Sequence, residues 1–299
     1  MRLRTRKRAL AEGVTAGVLF GSAAIFVRFL PVLDMFSIVF WRLAIACVAL
    51  AVVVLLEGGF HIAATGENAR DIVILGLLLG LHFVFFVSAL KDTTILNATV
   101  LVNVAPVFST LISSFLYKLK PSRLAVMGLA VSFTGISVIA YAEAAMPTVY
   151  GGGFSSSLRG DLEAVLSALL IAFYLNYGRR IRSETSAAST IFLIYLLGAL
   201  AAAGLGFVVT NQTVTLPSDI RVLLPLIGLG VLPTAIAHTL YFSSLSNLKA
   251  FETATMALLE PIGATILGVV LFAEVPAYVF AVGAGLVLLG IFFTLKKKS

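Results

Sequence analysis

The stretch "SALKDTTILNATVLVNVAPVFSTLISSFLY" (88–117) is answered later in the chain by "SSLSNLKAFETATMALLEPIGATILGVVLFAEVPAYVFAVGAGLVLLG" (243–290). At an offset of 155 positions Ser88 falls on Ser243, Leu90 on Leu245, Pro106 on Pro261 and Thr110 on Thr265. Leu116 then falls on Leu271, Pro121 on Pro276, Gly128 on Gly283, Gly135 on Gly290 and Ile136 on Ile291. No gap is needed. The reading is a duplicated chain, with one copy in residues 1–150 and the other in 151–299.

Composition sets the solvent of each copy. Sixty per cent of the residues are hydrophobic and 12% are charged, where a soluble domain carries about a quarter charged residues. Mean hydropathy is +1.07. A length of 299 residues holds about ten membrane spans of about 20 residues with short loops. The apolar runs place them near 9–30, 34–57, 71–91, 95–117, 122–144, 159–182, 187–210, 220–246, 250–273 and 277–295. The expected fold is an all-α integral membrane protein of ten transmembrane helices, built as two inverted five-helix repeats. An odd number of spans per copy makes the second enter the bilayer from the opposite side. Secondary transporters commonly use this design, because two similar halves can exchange inward-open and outward-open shapes.

The net charge of +7 does not indicate nucleic acid, because the cations are segregated. Sixteen of the 21 fall on one side of the expected topology, including Arg2, Arg4, Arg6, Lys7 and Arg8. That side also takes Lys118, Lys120, Arg123, Arg179, Arg180, Arg182 and the closing run Lys296–Lys298. Arg28, Lys91, Arg159 and Arg221 fall on the other, and Arg42 lies within the second span. The positive-inside rule puts both termini in the cytoplasm, in what is expected to be a bacterial inner membrane. The first apolar run continues to Leu30 without a small-residue cleavage site, so it reads as a retained helix. The single Cys47 forms no internal disulfide or metal motif. No P-loop, nucleophile elbow or metal-ligand spacing occurs, so neither cofactor nor enzyme chemistry is expected.

The two quoted stretches resemble the repeat core of the EamA-like branch of the drug/metabolite transporter superfamily. The resemblance rests on Pro106 with Gly128 and Gly135, and on Glu260-Pro261, Glu274, Gly283 and Gly290. Arg42 and "LEAVLSALLIAFYLNYGRR" (162–180) also fit. The first copy departs where Leu119 stands opposite Glu274. The resemblance implies a central cavity between two five-helix halves, walled by spans 1, 3, 4, 6, 8 and 9. Family substrates include amino acids, nucleosides, vitamins and drugs, and aromatic amino acid exporters of the YddG type belong here.

Candidate site residues are the polar groups that a bilayer makes costly. Glu260 stands about ten residues into its span, about 15 Å along a helix, and precedes Pro261. It either carries a proton or meets a substrate amine, or it pairs with Arg42 or a neighbouring helix. Pro106 and Pro261 each free the carbonyl four residues back, at Val102 and Ala257. Each is a hinge or site wall, or a kink satisfied by 3₁₀ geometry. "GLGVLP" (228–233) adds a third flexible point at Pro233. His82 and His238, one position apart under the offset, either touch substrate or pack. Asn103, Tyr174, Asn176 and Tyr241 complete the polar set, as substrate ligands or interhelical bonds. Trp41 reads as an interface anchor, and Arg42 either snorkels or holds a substrate carboxylate. The small residues Gly128, Ala130, Gly135, Gly283, Gly285 and Gly290 pack spans 5 and 10 against their own halves, or against a second subunit in a homo-oligomer.

These residues favour a carrier for a small amphipathic metabolite. A wall with Glu260 as its one acid and Arg42 as the one intramembrane cation suits a neutral zwitterion with an apolar side chain. It does not suit sugar phosphates, which require several Lys or Arg. A nucleoside, vitamin or drug on the same fold is the alternative.

Overall fold

A computed structural model describes residues 5–56, 68–93, 95–145, 157–182, 187–215, 217–272 and 278–296. All regular structure among these residues is helical, with no strand. In chain order, α1 comprises Arg6–Phe20 and Ser22–Arg28, α2 is Met35–Leu56, and α3 is Ala69–Asp92. Then come α4 (Ile95–Val102 and Ala105–Phe115), α5 (Arg123–Ala145), α6 (Leu158–Arg182) and α7 (Ala187–Thr210). The α8 rod joins Ile220–Leu229, a π-helical stretch Gly230–His238, and Thr239–Ser244. Ala250–Met256, a 3₁₀ turn Ala257–Leu259 and Glu260–Phe272 make up α9, and Tyr278–Leu295 is α10.

Among the described residues, seven segments are long and apolar enough to cross a membrane: α1, α2, α3, Asn97–Phe115 of α4, Ala188–Thr210 of α7, α8 and α10. Arg123–Ile139 of α5 is a shorter apolar helix. The α6 helix carries Asp161 and Glu163 near one end and Arg179, Arg180 and Arg182 at the other. The correspondences Leu119–Glu274 and Pro121–Pro276, and most of the two longest expected loops, lie outside the described residues.

Each of the three expected hinge prolines sits at a break in regular helix. The α4 rod is interrupted at Asn103–Val104, and Pro106 opens its second half. In α9 the 3₁₀ turn ends at Glu260, whose backbone N–H donates to the Ala257 carbonyl. The carbonyl that Pro261 frees is therefore satisfied locally, and the open acceptor expected at Ala257 is filled. Pro233 lies inside the π stretch. It frees the Leu229 carbonyl, which accepts instead from the Thr234 hydroxyl at 2.6 Å. Such wide turns recur at functional sites.

Two glycine-lined contacts set the packing. On α1, Gly13, Gly17 and Gly21 recur every fourth residue and face Met256, Leu259 and the Gly263–Ala264 backbone of α9. A Cβ at Gly17 or Gly21 would collide with main-chain atoms there, so only glycine permits this approach. The second contact joins α5 to α10. Gly128 faces Gly290 and Thr294, Gly135 faces Gly283 and Val287, and the Ser132 hydroxyl donates to the Val287 carbonyl at 3.3 Å. The small-residue faces of spans 5 and 10 thus cover one another rather than each packing on its own half, while Gly285 has no neighbouring atom among the described residues within 4 Å of its Cβ position. A Cβ at Gly128 would stand 2.6 Å from the Thr294 nitrogen. Gly128→Leu is expected to lose about 1–3 kcal/mol by overpacking, and Gly285→Leu to be neutral. Thermal unfolding of the two purified variants in detergent checks the contrast.

Candidate functional site: a buried cavity at the helix breaks

The helix breaks converge on one cavity. Its wall includes Phe20 and Ala23 of α1, His82, Phe83 and Phe86 of α3, and Val102, Asn103 and Ala105 of α4. Ile171 of α6, His238 and Tyr241 of α8, and Ala257 and Glu260 of α9 complete it, with Arg42 of α2. The six expected spans all contribute, and α2 joins them through Arg42. The space open to water centres is about 50 Å³, room for a few waters at about 10–15 Å³ each.

The structure gathers His82, Asn103, His238, Tyr241 and Glu260 on this wall and leaves Tyr174 off it. Tyr174 is fully buried, with its ring 5.7 Å from that of Phe242 and its hydroxyl without a hydrogen-bond partner among the described residues. Asn176 lies in a satisfied clamp between α6 and α4. It donates to Ser109 Oγ at 2.9 Å and accepts from the Ser113 hydroxyl at 2.6 Å.

Glu260 is buried where α9 restarts after its 3₁₀ turn. Asn103 Nδ2 donates to its Oε2 at 3.4 Å and to the Thr99 carbonyl at 2.7 Å. Both bonds need the amide nitrogen, so the amide orientation is determined and Oδ1 is left without a donor. No ion pair links Glu260 with Arg42 among the described residues, although both line the cavity.

The two histidines differ in what holds them. The Ser167 hydroxyl donates to the His82 carbonyl at 3.1 Å, so its oxygen is an acceptor toward His82 Nδ1 at 2.8 Å. The Ser167 carbonyl stands 3.0 Å from the same nitrogen. Nδ1 therefore carries the proton, and Nε2 is the acceptor of the neutral ring. His238 is held by rings instead: Phe20 at 4.6 Å and Phe83 at 4.8 Å between centroids. Its Nδ1 has no hydrogen-bond partner among the described residues.

Sequence reasoning left Arg42 undecided and did not single out the phenylalanines. Arg42 is 1% exposed. Its Nε donates to Thr234 Oγ1 at 3.1 Å, and its guanidinium carbon lies 3.8 Å from the centre of the Phe83 ring. The available signal was its position, since a cation inside an apolar span is rarely idle. The four-residue glycine spacing on α1 was the other readable signal, and it positions the Glu260 break.

Residues 8–141 and, separately, 158–296 match the EamA-like transporter family. The chain belongs to the EamA-like transporter family. It is an integral membrane transporter, not an enzyme. An uncharacterized transporter of Bacillus subtilis (strain 168), YxxF, is 25% identical over 299 residues, spanning 98% of this chain and 91% of the relative. An uncharacterized transporter of Archaeoglobus fulgidus is 24% identical over 290 residues, 94% of this chain and 95% of the relative. A solved crystal structure superposes with a TM-score of 0.77 at 20% identity over 97% of each chain, a likeness of fold.

The stranded Tyr174 hydroxyl yields a test of the boundary of the site. Removing a buried hydroxyl without a partner relieves a desolvation cost. Tyr174→Phe is expected to keep wild-type transport and to gain about 1 kcal/mol of stability, as read by transport rate and thermal unfolding.

Proposed function

We propose that this EamA-type transporter is a secondary carrier, and that it exports small amphipathic metabolites with neutral or aromatic amino acids favoured. In this reading ten spans form two inverted five-helix repeats, residues 1–150 and 151–299. Both termini lie in the cytoplasm of a bacterial cell whose inner membrane holds the protein. The substrate contacts are His82, Asn103, His238, Tyr241 and Glu260, with Pro106, Pro233 and Pro261 at the moving joints.

The observation that carries the reading is the symmetry of the cavity wall. Val102 and Ala257, Ala105 and Glu260, Phe83 and His238, and Phe86 and Tyr241 all line it, and each pair is 155 positions apart. A site built from matching positions of two copies is what a carrier needs to present one ligand to either side. The contact of α5 with α10 has the same character. Gly128 meets the counterpart of Gly135, and Gly135 meets the counterpart of Gly128.

Polar ties at the two ends of the bundle support alternating access. At one end Arg6 donates to Glu252 at 2.7 Å and to the Leu295 carbonyl at 3.0 Å. At the other, Asp161 accepts from Thr93 at 2.9 Å and from Asn97 at 3.2 Å. Glu252 and Asn97 are again 155 positions apart. Breaking one tie while keeping the other opens a path to one side. The cavity, sized for a few waters, must widen to take an amino acid, and its helix breaks are where that motion costs least.

Substrate chemistry follows from the wall. Two opposite charges, a few amide and imidazole groups and four aromatic side chains suit a mainly apolar ligand oriented by few polar contacts. A nucleoside or vitamin is the alternative reading. Proteoliposomes loaded with Phe, Thr, uridine and a sugar phosphate decide among them. Counterflow of Phe or Thr is expected, and Glu260→Gln is expected to cut it by tenfold or more with the protein still folded. Exchange of the sugar phosphate with no amino acid carried overturns the substrate reading.

A further inference from the structure

We infer that Arg42 is the carboxylate-binding group of the cavity and that, with Glu260 and Asn103, it forms a two-pole site for an α-amino acid zwitterion. The inference rests on the amino acid reading above and adds the recognition rule.

Arg42 is a buried cation whose own structure fixes it in place. Its Nε–H donates to Thr234 Oγ1, and the Thr234 hydroxyl donates onward to the Leu229 carbonyl freed by Pro233. The Tyr195 hydroxyl holds the same residue through the Thr234 carbonyl at 2.7 Å. One edge of the guanidinium is thus committed to the π stretch of α8. One face is committed to the Phe83 ring, a cation–π contact. Among the described residues the buried NH1 group has no partner, and no carboxylate lies within 4.0 Å of the guanidinium. A buried donor of this kind is costly to leave unfilled. The group that fills it best is an anionic oxygen.

The same cavity carries the opposite need. Among the described residues Asn103 Oδ1 is a buried acceptor without a donor, and Glu260 has a single side-chain donor, the Asn103 amide. An ammonium group satisfies both. A sugar phosphate answers Arg42 and is repelled by Glu260. A simple amine does the reverse. A nucleoside carries no charge for either pole. An α-amino acid brings both charges on adjacent carbons, and its side chain is left to the rings of Phe20, Phe83 and Phe86.

The test uses L-phenylalanine counterflow in proteoliposomes, with two competitors that each keep one pole. Phenethylamine lacks the carboxylate, and 3-phenylpropanoate lacks the ammonium. On wild-type protein each is expected to compete about tenfold or more weakly than unlabelled phenylalanine, the loss of one charge-assisted hydrogen bond. Arg42→Gln is expected to raise KM for phenylalanine by tenfold or more. It should also bring phenethylamine level with phenylalanine while 3-phenylpropanoate stays weak. Arg42→Lys, which keeps the charge, is expected to retain part of the preference. If phenylalanine is carried but phenethylamine competes equally on wild-type protein, the two-pole site is wrong and the amino acid reading stands. If Arg42→Gln folds and keeps the wild-type preference, Arg42 is not the carboxylate ligand. If no amino acid is carried, both readings fall. Should Arg42→Gln not fold, the wild-type competition series decides alone.

Discussion

A backbone carbonyl in hydrocarbon has no water to turn to, and this constraint organises the structure. Three prolines remove the donors that would satisfy Val102, Leu229 and Ala257. The chain answers two of these losses in ways that also build the site. At Leu229 the answer is a side chain, Thr234, which then becomes the seat of Arg42. At Ala257 it is a 3₁₀ turn, which brings the Glu260 N–H onto the carbonyl and sets the carboxylate on the cavity wall. The polar groups that a bilayer penalises are thereby collected where the helices are already interrupted.

Holding interrupted helices in register requires close neighbours. The broken α9 rod lies against Gly13, Gly17 and Gly21 of α1, so its bent backbone packs on main chain rather than on mobile side chains. The α5 and α10 helices use the same device away from the cavity. The polar ties at the ends, Arg6 with Glu252 and Asp161 with Thr93 and Asn97, are only partly buried. Ion pairs with access to water contribute little net stability. On the carrier reading proposed above, such weak ties hold an end closed without making its opening prohibitive.

Much of this was legible in the sequence because a bilayer leaves few options. Apolar length locates helices, and a carboxylate or histidine within a span must meet a cavity or a partner. Five of the six expected contacts share one wall for that reason. Tyr174 lies off that wall, since a tyrosine ring is at home in a core and its helical face depends on how α6 rotates against α3 and α4. Arg42 stayed open because its burial depends on Phe83 and Thr234, residues far away in the chain. Spans 5 and 10 announced their small residues but not their partner, since that choice is made by the tertiary fold.

The cavity is symmetric in position and asymmetric in chemistry, and the two properties serve different ends. At matching positions Ala105 faces Glu260, Phe83 answers His238 and Phe86 answers Tyr241. At these three pairs the earlier residue supplies a methyl or phenyl group and the later one a carboxylate, an imidazole or a phenol, while Arg42, His82 and Asn103 add polar groups from residues 1–150. On the carrier reading proposed above, equivalent backbone positions let the two halves trade conformations at small cost. A fully symmetric wall, however, would bind a ligand equally well in two orientations and would stabilise neither. In the proposed two-pole site the ligand takes one orientation, with its charged end between Arg42 of α2 and the Asn103–Glu260 pair of α4 and α9, and its apolar end against Phe20, Phe83 and Phe86.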